Sequence, residues 1–127
     1  MIDQKSLQTL EFDKVRALVA GYTSFSAGRE LALAMTPSDD LREAQEWQAE
    51  TREAVGLFES DNSATIGGAR DIRRAAENAM RGFVLLPDDF LAIQNTVVAA
   101  RNLRRQLLRI EERAPHLAAI AVLIEEC

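Results

Sequence analysis

Between residues 90 and 110, seven apolar side chains fall at Phe90, Ile93, Val97, Ala100, Leu103, Leu107 and Ile110. Their spacing is three or four residues throughout, the signature of one apolar stripe on an α-helix. Pro87 suits a first helical position, and Asp88 and Asp89 favour the positive end of the helix dipole. The pattern predicts a helix of about 27 residues over 87–113, roughly 40 Å long. A rod of that length in a chain of 127 residues must pack along other helices, so the stripe dictates a multi-helix bundle.

The same periodicity recurs on both sides. A first turn is expected near residues 3–7, and a helix over 11–21 with Phe12, Val15, Leu18 and Val19 on one face. Another is expected over 25–35, with Ser24 as its cap and Ala27, Leu31 and Ala34 in line. Pro37 ends it. A fourth is expected over 40–59, capped by Asp39, with a buried stripe of Ala44, Trp47, Thr51, Val55 and Phe58. Glu43, Glu46, Glu50 and Glu53 form an acidic stripe beside it. A fifth spans about 71–81 and stops at Gly82. The apolar run Phe83-Val84-Leu85-Leu86 has no evident partner strand and reads as a buried connector. Pro115 opens a last helix, which reaches Cys127 without a capping signal and so predicts that the pattern continues. The expected fold is therefore all-α, a piece of a larger helical domain. Its halves, 1–59 and 70–127, meet at the linker 60–69, where Asp61-Asn62-Ser63 and Gly67-Gly68 are turn formers.

Charge limits the function classes. The net charge is −5, which disfavours strong nucleic-acid binding by the segment as a whole. Residues 1–63 carry six basic and twelve acidic side chains, whereas 64–127 carry nine and eight. Thirteen of the fifteen basic residues are Arg, the side chain suited to bidentate contact with carboxylates or phosphates. Arg101, Arg105, Arg109 and Arg113 recur every four residues and form the candidate contact row, for nucleic acid or for an acidic partner. A solvated face is the plainer reading of that row. Pairing with the Glu43–Glu53 stripe inside the fold is a third.

Catalytic motifs are absent. There is no GxxxxGK[ST], HExxH, CxxC or GxSxG. One His and one Cys exclude a His- or thiolate-rich zinc site within one chain. His116 lacks a neighbouring nucleophile in sequence and reads as a surface histidine. The adjacent acids Asp88-Asp89 and Glu125-Glu126 read as capping or solvated groups. No catalytic, cofactor-binding or metal-binding residue is expected. The start lacks signal-peptide character, and no apolar run reaches the roughly 20 residues of a membrane span. The expectation is a cytoplasmic chain with no membrane partner.

Several short stretches together resemble the N-terminal segment of the bacterial MutS-two family, paralogues of the mismatch-repair protein MutS. They are Leu10-Glu11-Phe12-Asp13-Lys14-Val15, Gly28-Arg29-Glu30-Leu31, Pro37, Glu50-Thr51-Arg52-Glu53-Ala54, Gly67-Gly68-Ala69-Arg70-Asp71-Ile72, and Leu86 leading into the long helix. Ala69 departs from the larger aliphatic usual there, and Met35-Thr36 before Pro37 is a second departure. The resemblance implies a core and lever region that precedes a dimerising ABC-type ATPase domain, which uses ATP and Mg. A C-terminal Smr domain linked to nuclease activity usually follows. The family is associated with branched DNA, suppression of recombination and, in some members, ribosome rescue. The implied partners are the remaining domains of its own chain, then DNA or the ribosome, in a homodimer. The alternative from the residues alone is a free-standing helical interaction module, and a third is a small nucleic-acid binder using the Arg row.

Overall fold

The computed structural model describes residues 2–60 and 64–125. Among them are seven α-helices and no strand: α1 (Gln4–Thr9), α2 (Phe12–Gly21), α3 (Ser26–Ala34), α4 (Leu41–Glu59), α5 (Arg73–Met80), α6 (Pro87–Arg109) and α7 (Pro115–Val122). The all-α expectation holds. Asp61-Asn62-Ser63 of the expected linker, and Glu126 and Cys127, lie outside the described residues. The chain divides into two compact units, with a boundary inside α4 between Gln48 and Ala49.

In the first unit α1 and α3 both pack on α2. Ala20 and Ala32 are its buried residues. The Arg16 guanidinium sits 5.1 Å from the Phe12 ring centroid. Its Nε donates to the Met35 carbonyl at 2.7 Å, tying α2 to the end of α3. Two caps differ from expectation. The residue before α3 is Phe25, which offers no side-chain acceptor, rather than Ser24. Asp40, not Asp39, caps α4: its Oδ1 accepts from the N–H groups of Arg42 at 2.8 Å and Glu43 at 3.1 Å. The Ser38 hydroxyl accepts from Asp40 N–H and donates to the Glu43 carboxylate, which fixes Asp40 as the turning point. Glu11 enters α2 with φ +51°, in the left-handed region, and its carboxylate meets Lys14 Nζ at 2.6 Å.

In the second unit α6 packs on α7. The buried residues are Ala75, Ala99, Leu107, Ala114, Ala118 and Ala121, so five of six are alanine and the helices approach over small side chains. The long helix covers 23 residues and stops at Arg109, not 113. Pro115 disfavours α geometry at Ala114 (φ −137°, ψ 63°), so the chain must leave the helix upstream. Glu111 and Glu112 would also sit unfavourably at the negative end of its dipole. Residues 110–113 form a turn closed by Ala114 N–H to Ile110 carbonyl at 2.8 Å. The Asp89 carboxylate accepts from Leu86 N–H at 3.0 Å and closes the start of α6.

Gly82 ends α5 as expected. Its φ is +78°, and the Phe83 and Gly82 N–H groups bond the Asn78 and Ala79 carbonyls at 2.9 and 3.0 Å, a Schellman ending. Gly82→Ala should therefore cost about 1 kcal/mol, because an alanine Cβ is strained at that φ. The midpoint of urea unfolding would show it as a downward shift.

Large apolar side chains lie mostly outside. The stripe expected to be buried on α4 is not: Thr51, Val55 and Phe58 are exposed, and Trp47 is only half-covered. In the second unit α4 instead turns inward the face of Glu53, Ala54 and Leu57. The expected buried connector 83–86 is also a surface segment, with Val84 94% exposed and only Leu85 half-buried. Leu18 and Leu31, placed on apolar stripes of α2 and α3, are exposed too. The total accessible surface is 9924 Å². Even two compact globules of these sizes that never touched would expose only about 8,100 Å².

Candidate functional site

Two arrangements in the second unit bring side chains together. The first is centred on Glu53, a residue of the Glu50–Ala54 stretch. α4 aims this carboxylate at the start of α7, where the first-turn amides have no helical acceptor. Glu53 Oε2 accepts from Leu117 N–H at 2.9 Å. Oε1 accepts from His116 N–H at 3.2 Å and lies 2.6 Å from His116 Nδ1. The Glu53 side chain is only 12% exposed. Burial pushes its pKa up, but the bonds from Leu117 N–H, the His116 ring and His116 N–H outweigh burial and hold it below the usual 4.5. One carboxylate thus caps α7 from a helix more than sixty residues away, and also neutralises the positive end of the α7 dipole. His116, half-exposed, is part of this cap. The expected pairing of the acidic stripe with the Arg row is not made by Glu53. Glu46 faces Arg42 on its own helix at 3.7 Å.

The second arrangement is a cleft of about 570 Å³ between α6 and the end of α7. Ile72, Val97, Ala100 and Ile124 give it an apolar floor. Arg101, Arg104 and Arg105 also line it, Arg104 half-buried, together with Glu125 and Thr96. Of the four Arg residues predicted as a row, Arg101 and Arg105 line the cleft and Arg109 does not. Arg113 leaves the row altogether, because α6 has ended four residues before it. Arg104 was not singled out in the sequence. Its three-residue spacing from Arg101 was the available signal. Among the described residues Arg105, Arg109 and Arg113 form no ion pair.

The Gly67-Gly68 pair forms a turn, as expected, and no phosphate loop. Ala69 N–H bonds the Ile66 carbonyl at 3.1 Å, and Gly68 takes φ +91°, which fits the third position of a type II turn. The turn delivers Arg70 to α6, where Thr96 Oγ1 accepts from Arg70 N–H at 2.9 Å. Among the described residues no three His, Cys, Asp or Glu side chains are grouped to hold a metal ion. No helix among them is long and apolar enough to cross a membrane.

These features define a helical segment with more packing surface than core. Its relatives give the family. The chain is 38% identical over 120 residues to an endonuclease MutS2 of Symbiobacterium thermophilum, with 94% of this chain and 15% of that relative covered. It is 41% identical over 115 residues to an endonuclease MutS2 of Thermomicrobium roseum, covering 88% of this chain and 14% of the relative. Against an endonuclease MutS2 of Geobacillus thermodenitrificans it is 33% identical over 125 residues, with 98% and 16% covered. The chain belongs to the MutS2 family and corresponds to a small N-terminal part of these relatives, about 15% of their length. No family model matches it, and no solved structure matches it.

Proposed function

We propose that this chain is the N-terminal helical core and lever segment of a MutS2-type, DNA-acting ATPase. Its exposed apolar faces dock on the remainder of such a protein, and α6 carries the state of an ATPase domain to the substrate-gripping region. The observation that carries the reading is the exposure of Leu18, Leu31, Phe58, Phe83, Val84 and Phe90, side chains that a self-contained domain of this size covers. The match to relatives about six times longer, named endonucleases, supports it. So does α6, a rod of about 35 Å.

In this reading ATP with Mg, an ABC-type ATPase domain, a C-terminal Smr nuclease domain and the homodimer contact belong to the rest of the protein. The substrate is branched DNA in recombination control, or a ribosome in rescue, and the compartment is the cytoplasm. The Arg row contributes a partner contact near α6. The test is Val97→Pro in a full-length MutS2-family protein carrying this segment. A proline in mid-helix removes a backbone hydrogen bond and kinks the rod, at about 3 kcal/mol or more. The expected result is substrate binding and ATP hydrolysis that persist separately while stimulation of one by the other is lost. Unaltered coupling in a folded variant contradicts the lever role.

A further inference from the structure

We draw no further inference here: the strongest candidate, the apolar pocket of about 170 Å³ between α4, α6 and α7 lined by Leu57, Phe58, Leu103, Leu107 and Leu117, carries nothing because nothing in the structure shows what fills it.

Discussion

Glu53→Ala should lower the stability of the second unit by about 2–3 kcal/mol, the largest loss expected from any single polar residue in the chain. The side chain is only 12% exposed, and its two oxygens take the N–H groups of His116 and Leu117 and the His116 ring nitrogen. Truncation leaves two first-turn amides of α7 without an acceptor in a partly buried place and removes the α4–α7 tie. Urea unfolding followed by circular dichroism measures the loss. His116→Ala should cost less, because Glu53 still accepts from both backbone amides. The pH dependence has a definite sign. The Glu53 pKa is lower in the fold than its ordinary 4.5, so its contribution is fully present above about pH 4.5. It is lost as pH falls through the folded value. Wild type should therefore lose stability in that acid range, whereas Glu53→Gln should start lower and change less.

The second large effect is expected at Ala121, 0% exposed in the α6–α7 contact. Ala121→Leu forces three extra carbons into a place lined by small side chains and should cost about 3 kcal/mol. For a unit of this size that is a fall in melting temperature of roughly 12–24 °C. Val84→Ser is the contrasting case. Val84 carries a larger apolar side chain, yet it is exposed, so its replacement should stay within about 0.5 kcal/mol. Thermal unfolding of the two variants side by side checks both. If Val84 proves the costlier site in the isolated chain, the core is not the alanine contact described above.

The contrast shows what the sequence could convey. Helix positions were legible because apolar spacing and the breakers Pro37, Gly82, Pro87 and Pro115 are local signals. Ends were less so. The shift from Asp39 to Asp40 depends on which of two adjacent residues has its backbone N–H held by the Ser38 hydroxyl, and α6 ends early because Pro115 acts through Ala114. Burial was the least legible property. Periodicity names an apolar face, but not whether a neighbour covers it. On α4 the covered face is the one bearing Glu53, since its bonds to α7 bind more specifically than apolar contact at Val55 and Phe58. The Glu53–His116 pair joins residues 63 apart, with no local signal. Of the candidate Arg row, Arg101 and Arg105 line one cleft, Arg109 does not although it is still within α6, and Arg113 lies beyond the end of the helix.

Amide hydrogen exchange tests most directly whether this segment is built to be covered. The comparison is between the isolated 127-residue chain and a full-length MutS2-family protein that carries it. The informative peptides span 83–91, with exposed Phe83, Val84, Leu86 and Phe90, and the exposed face of α2 and α3 around Leu18 and Leu31. If the remainder of the protein packs on these faces, their amides exchange at least about tenfold more slowly in the full-length protein. Equal exchange in both contexts would contradict the docking role and leave the segment a helical module that stands by itself.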